Sequence, residues 1–367
     1  MKITIPSNDL VQPLKTVARV ADRKAGDITG HILIDVTPER LTLSAHNGQK
    51  QVALDVSADR FLTNAASFSI CVPAQKFEQV VSSLPKDANV VIKIDGTKVI
   101  ISSGRSRFSL ATRPATDFPL MEFTSDQNKG AAVLPGGVLT KALRQVGFCA
   151  ARNDMRVFLN GVLFDFSEGI VTLAASDGLR LGVVDLPHPG TPMQRFILPS
   201  TCIEDVCQFA GTGDIEIATS GSMARFTKRD GVLHTKLIEG GFPNYRQLLE
   251  TAAQGNLARF NRDEFAGAVT RVSLLSDGSI PRVRLAVCPG SVSIESVGMD
   301  DLANDILPCD YHAAPLDIGF NGALAGEIVR SLDGDEIDVY FGGGASGTLL
   351  RGRDLPSHSF VLMPVRL

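Results

Sequence analysis

The 367-residue sequence predicts an α+β protein made of three tandem domains of one type. Three observations predict it. The chain is longer than one hydrophobic core ordinarily supports. One order of elements (helix, strand hairpin, second helix, closing strands) runs through it three times. The repeat length is that of a domain and not of a solenoid unit.

The first helix of each unit reads LKTVARV from Leu14, LRQVGFC from Leu143 and VTRVSLL from Val269, at spacings of 129 and 126 residues. Apolar residues three apart, Leu14 and Val17, Leu143 and Val146, Val269 and Val272, share one helical face. Hairpins follow from Ile32, Val162 and Val283, each a pair of apolar runs around a turn rich in Pro, Gly, Glu or Ser. A second helix follows Val72-Pro73, Leu198-Pro199 and Phe320-Asn321, with proline suited to a first turn whose amide has no intrahelical partner. Strands beginning at Val90, Ile215 and Ile337 close the units. Polar and small residues at Phe123 to Gly130 and Glu250 to Gly255 mark the joins, giving domains 1–125, 126–252 and 253–367.

An apolar fraction of 44% and a charged fraction of 21% are those of a globular chain. No stretch approaches the roughly 20 apolar residues that span a bilayer, and MKITIPSNDL lacks a signal-peptide core, so the expected compartment is the cytoplasm, with no membrane partner. The six cysteines are scattered and read as core residues; Cys202 and Cys207 lack further ligands nearby in sequence to complete a metal site. No cofactor or metal is expected.

Lys and Arg number 36 against 40 Asp and Glu, too few for a protein that grips DNA over its whole surface. A repeated arc that pairs head to tail closes into a ring, and a ring retains a polymer by encirclement while touching it weakly. The six repeat helices sum to plus three, leaving minus seven elsewhere, the bias that helices lining a DNA-filled hole would need. A plain solvated helical face accounts for those few charges equally well.

The strings SGRSRFSL (Ser103 to Leu110), DFP (Asp117 to Pro119), LNGVLF (Leu159 to Phe164), SDGLRL (Ser176 to Leu181), GFPNYR (Gly241 to Arg246) and MPVRL (Met363 to Leu367) resemble, in order and across the whole chain, the bacterial sliding clamp family, the DNA polymerase III beta subunits. The resemblance implies three clamp-type domains per chain and a head-to-tail homodimer forming a closed ring, helices inside and sheets outside. It implies a non-catalytic processivity factor around double-stranded DNA, without sequence preference, opened by a clamp loader. Implied partners are the DNA polymerase III alpha subunit and other clamp-binding-motif proteins: translesion polymerases, ligase and mismatch repair.

The same resemblance implies a peptide-binding cleft of Leu159, Ser176, Gly178, Leu179, Arg180, Leu181, Pro243, Gln247, Leu248, Ile280, Val361, Met363, Pro364, Val365 and Arg366. Aliphatic walls and an adaptable Met suit apolar peptide anchors, and an apolar last segment suggests docking over fraying. Core packing at a domain junction is the plainer reading of these residues. Gln247 and Leu179 stand where a commonly described member has Arg and His. Asn153, Val157 and Phe158 replace its Gln and two Tyr near the DNA side, and each lost ring forfeits roughly 1 to 3 kcal/mol of base stacking. Phosphate contacts are assigned to Arg23, Lys24, Lys141, Arg144, Arg152 and Asn153. The dimer contact is assigned to Phe108 and Leu110, facing outward on a strand flanked by Arg105 and Arg107, against Leu274 and Leu275, with Asp300 and Asp301 meeting the arginines.

Nothing in the sequence assembles a catalytic constellation. The six histidines form no ligand pair at helical spacing, and Ser176-Asp177 lacks a nucleophile elbow. The acidic run at Asp333, Asp335, Glu336 and Asp338 lacks EF-hand order, and Gly342 to Gly344 reads as a hairpin. Two other readings stand beside the clamp: a specialised paralogue with altered partners, and a three-domain interaction scaffold that does not enclose DNA.

Overall fold

The computed structural model describes residues 1–23, 26–63, 67–123, 131–188, 194–276, 280–296, 298, 301–343, 346–353 and 355–367. Lys24 and Asp300, assigned above to DNA and dimer contacts, lie outside the described residues.

The first repeat runs β1 (Lys2–Pro6), α1 (Ser7–Val20), β2 (His31–Val36), β3 (Arg40–His46), β4 (Lys50–Ser57), β5 (Leu62–Thr63), β6 (Phe68–Pro73), α2 (Ala74–Ser82), β7 (Asn89–Asp95), β8 (Lys98–Ser103), β9 (Ser106–Ala111) and β10 (Arg113–Pro114). The second runs β11 (Ala131–Pro135), α3 (Gly136–Gly147), β12 (Gly161–Ser167), β13 (Ile170–Ser176), β14 (Arg180–Pro187), β15 (Phe196–Pro199), α4 (Ile203–Ala210), β16 (Asp214–Ser220), β17 (Met223–Lys228), β18 (Gly231–Lys236) and α5 (Tyr245–Ala252). The third runs β19 (Asn256–Asn261), α6 (Arg262–Ser273), β20 (Arg282–Cys288), β21 (Ser291–Ser296), β22 (Asn304–Pro308), β23 (Asp310–Tyr311), β24 (Leu316–Asn321), α7 (Gly322–Ser331), β25 (Glu336–Phe341), β26 (Thr348–Gly352) and β27 (Leu355–Leu362).

Periodicity explains the helices. Leu10, Leu14 and Val17 form the buried stripe of α1, and Phe265, Val269 and Val272 that of α6. Asn261 and Asn321 start α6 and α7 by accepting bonds from amides of the first turn. The two prolines act just outside their helices: Pro73 ends β6 in extended geometry, and Pro199 ends β15 before a 3-10 turn over Ser200–Cys202 that precedes α4.

Residues 1–140 with 201–237 form one compact unit and 141–200 with 238–367 a second, so the middle repeat is shared between them. Strand pairing is the reason. In the first unit the order β10-β6-β2-β3-β4-β18-β17-β16-β11 makes one nine-stranded sheet in which β4 of the first repeat pairs with β18 of the second. In the second unit the order β15-β12-β13-β14-β27-β26-β25-β19-β23 repeats the device, with β14 pairing β27 of the third repeat. Smaller sheets, β5-β1-β7-β8-β9 and β22-β21-β20-β24, complete the two units.

Each inter-repeat seam carries an ion pair at the same repeat position. Lys50, the first residue of β4, bonds Asp205 of α4, and both side chains are about nine-tenths buried. Arg180, the first residue of β14, bonds Glu327 of α7. The Lys50 ammonium also donates to the Thr201 carbonyl at 3.0 Å, which satisfies a second proton of a charge held out of water.

Candidate functional site

The cleft lies within the second unit, where β13, β14, α5 and β27 meet. A cavity of about 260 Å³ is walled by Leu159, Leu181, Pro243, Leu248, Val361 and Met363, with Ser176, Gly178, Arg156, Phe158 and Arg180 completing it. Nine of the fifteen residues assigned from sequence line it.

Three local devices set its shape. The turn between β13 and β14 is organised by Asp177, whose Oδ1 accepts the amides of Leu179 and Arg180, both at 2.9 Å, while Gly178 adopts φ +89. The wall carrying Leu248 is fixed by Tyr245, whose hydroxyl donates to Asp165 Oδ2 at 2.7 Å. Burial, with Asp165 reinforcing it, pushes that phenol up to about 12. Asn244 caps the same helix by accepting the Gln247 amide. Sequence reasoning placed a join over 250–255, yet Glu250 to Ala252 complete α5.

The third device is the segment 363–367. Met363 donates its amide to the Leu179 carbonyl at 2.8 Å, and Val365 to Gly319 at 2.8 Å. A Cβ on Gly319 would stand 2.7 Å from both the Val365 oxygen and the Leu367 side chain, so only glycine lets the segment approach β24 this closely. Gly347 does the same for Val361, which a Cβ would meet at 2.5 Å.

Arg180 is an internal strut and not a rim cation. Its side chain is 10% exposed. It donates to Asp177 at 3.1 Å and to the Phe148 carbonyl at 2.7 Å, bonds Glu327, and lies 5.0 Å from the Phe148 ring centre. Burial opposes its charge, but the Glu327 hydrogen bond and neighbouring negative charge hold its pKa above the ordinary value. Arg156, absent from the sequence assignment, lies against Gly178 and forks onto Asp154 through Nε at 3.1 Å and Nη2 at 2.9 Å. That bond holds the Asp154 carboxyl at about 2. The close spacing of Asp154 and Arg156 was the available sequence signal for it. Phe158, placed near the DNA side from sequence, forms part of the cleft wall and packs on the core beneath it.

The remaining cleft candidates surround this cavity or lie apart from its lining. Leu179 and Ile280 are 53% and 51% exposed, and Gln247 and Arg366 are exposed. Pro364 and Val365 are half-buried. Of the phosphate candidates, Arg23 is exposed beside a depression of about 410 Å³ that it shares with Lys15 and Arg19, two cations the sequence reading passed over. Lys141 is tied to Asp333 at 2.6 Å. Arg144, Arg152 and Asn153 are exposed, the last two beside a depression of about 600 Å³ that also reaches Arg180.

Of the dimer candidates, Arg105, Arg107 and Asp301 are exposed. Phe108 and Leu110 do not face outward. They pair with Ile101 and Val99, both fully buried, and so belong to the inner face of their sheet, half-covered at its edge. Leu274 and Leu275 are 77% and 42% exposed, and Leu302 and Ile306, not anticipated from sequence, are 83% and 66% exposed in the same repeat. Among the described residues no cluster suited to a metal ion occurs, and no helix is long and apolar enough to cross a membrane.

Comparison with known proteins gives these features a family. Residues 1–122, 133–244 and 250–366 match the N-terminal, central and C-terminal domains of the DNA polymerase III beta subunit. The chain is 27% identical to the beta sliding clamp of Salmonella typhimurium, with all of both chains covered. It superposes on the crystal structure of the DNA polymerase III subunit beta from Pseudomonas aeruginosa with TM-score 0.93 at 26% identity, each chain fully covered. A sliding clamp from Bartonella birtlesii bound to griselimycin is 28% identical, with TM-score 0.91 and full coverage of both chains. Three family domains in the family's order, covering nearly the whole sequence, establish that the chain belongs to the DNA polymerase III beta subunits, the bacterial sliding clamps.

Proposed function

We propose that two copies of this chain close head to tail into a ring around duplex DNA and hold a replicative DNA polymerase there through the cleft. The observation that carries this reading is the pattern of sheet seams. The third strand after a repeat's first helix pairs with the third strand after the second helix of the next repeat, β4 with β18 and β14 with β27. The two strands left over by that rule are β22 and β9, each the outer edge of its sheet. A second copy supplies the missing seam at each end, and such an interface closes when the rotation allows. Exposed Leu274, Leu275, Leu302 and Ile306 beside β22, with the half-covered Phe108 and Leu110 on β9, support the same pairing. Arg105 and Arg107 with Asp300 and Asp301 would set its register.

Within that ring Arg23, Lys24, Arg144, Arg152 and Asn153 meet phosphate without reading sequence, and Lys141 does so by exchanging Asp333 for it. Domain limits of 1–125, 126–252 and 253–367 follow the repeat. The chain is then a non-catalytic accessory subunit, loaded by a clamp loader at the nucleoid. Its partners are the polymerase III alpha subunit and motif-bearing translesion polymerases, ligase and mismatch-repair proteins.

The test is loader-dependent retention on nicked circular DNA. Encirclement predicts that the protein stays on the circle through gel filtration and leaves after linearisation. Failure to be retained while peptide binding persists would favour an interaction scaffold.

A further inference from the structure

We infer that the cleft selects a linear partner segment by its apolar anchors, and that acidic residues flanking those anchors add nothing to its affinity. The inference rests on the cleft reading above and adds a charge specificity to it.

The floor supplies apolar burial, through Leu159, Leu181, Leu248, Val361 and Met363. Any preference for charge must come from the two arginines that line it, and both are already committed. Arg156 spends its fork on Asp154, and its Nη2 also reaches the Asp177 carbonyl at 3.4 Å. Arg180 is nine-tenths buried and bonded to Asp177, Glu327 and the Phe148 carbonyl. Arg246 of the neighbouring helix is engaged by Asp165 at 3.2 Å. Two lining arginines thus face three carboxylates, Asp154, Asp177 and Glu327, so the local balance is slightly negative. An incoming Asp must displace a carboxylate that is already bonded or stand near it unpaired, and neither gains affinity. The adjoining positions are neutral or apolar, Gln247 and the half-exposed Leu179. Arg366, exposed in the segment after Met363, does not line the cavity.

The experiment uses the full chain and three fluorescein-labelled nonapeptides that share a core of two leucines and a phenylalanine and carry Ser, Asp or Lys on both flanks. Anisotropy titrations are run at low and moderate salt. The Ser and Asp peptides should bind within about 2-fold of one another, with little salt dependence, because exposed pairs contribute little. Asp154→Asn keeps the oxygen that accepts the Arg156 amide, bonded at 2.8 Å in the parent, but removes the charge that holds the guanidinium. It should raise affinity for the Asp peptide about 3- to 10-fold and make that gain salt-sensitive. A preference for the Asp peptide of about 5-fold or more in the parent protein overturns the inference, as does an Asp154→Asn variant with unchanged selectivity. If none of the three peptides binds the parent, or Met363→Ala leaves binding intact, the cleft reading itself fails, an outcome separate from the charge specificity.

Discussion

Arg180 opens β14 and bonds Glu327 of α7, the same relationship that Lys50 at the start of β4 has with Asp205 of α4. The first pair borders the cleft and leaves the carboxylate half-exposed, whereas the second is buried on both sides. Their energetics differ accordingly. A buried pair broken on one side leaves an unpaired charge out of water, whereas replacing both partners with apolar groups removes the problem.

Lys50→Ala is therefore expected to destabilise the protein by about 1–3 kcal/mol, because the half-exposed Arg19, 3.5 Å from Asp205, still faces the carboxylate, while Lys50→Met combined with Asp205→Leu costs less. Urea unfolding of the three proteins measures this. Equal losses for the single and double variants would mean that the pair itself, and not its desolvation, governs the seam.

Gly319→Ala should dislodge the segment 363–367, because the added Cβ would stand 2.7 Å from the Val365 oxygen. A loss of about 1–3 kcal/mol is expected for the clash and the broken bond. Hydrogen exchange at the Val365 amide reports it directly, and weaker peptide binding should accompany it because Met363 shares the segment.

Acidification should lower the melting temperature below about pH 6.5, the ordinary imidazole value. Burial lowers the pKa values of His31, His46, His234 and His358, with Arg113 and Arg225 adding to it at His31 and His234. Folded imidazoles then stay neutral while the unfolded chain takes up protons, so stability is complete above the unfolded pKa and is lost as pH falls below it. His46 packs edge-on to Phe118 and His234 stacks on Phe123, so both brace the segment that follows the first repeat. Calorimetry from pH 8 to 5 checks the slope, and His46→Gln with His234→Gln should flatten it.

Leu274→Ala with Leu275→Ala should shift the protein toward monomer in dilute sedimentation experiments, since two exposed leucines beside an open strand edge contribute mainly to association. An unchanged dimer at dilute concentration would move the interface elsewhere.

Helices and hairpins were legible in the sequence wherever a local period recorded burial, as at Leu14 and Val17 or Val269 and Val272. The docked segment at Met363 was legible too, from its apolar run. Helix α5 was not, because NYRQLLETA reads as polar and its place depends on the Asn244 cap and on Tyr245 reaching Asp165, 80 residues away. The inward side of Phe108 was hidden for a related reason: alternation identifies two faces of a strand, not which one meets the core. The internal bonding of Arg180 was not legible, because its three partners, at 148, 177 and 327, converge only in the fold.

The two seams also set a timetable for synthesis. β4 waits for β18 and β14 for β27, partners about 175 residues further along the chain. At translation rates of roughly 5–20 residues per second, a newly emerged β4 stays without its partner for about 10–35 s. Until then the first repeat presents a bare strand edge to the crowded surroundings of the ribosome, where neighbouring nascent chains carry the same edge.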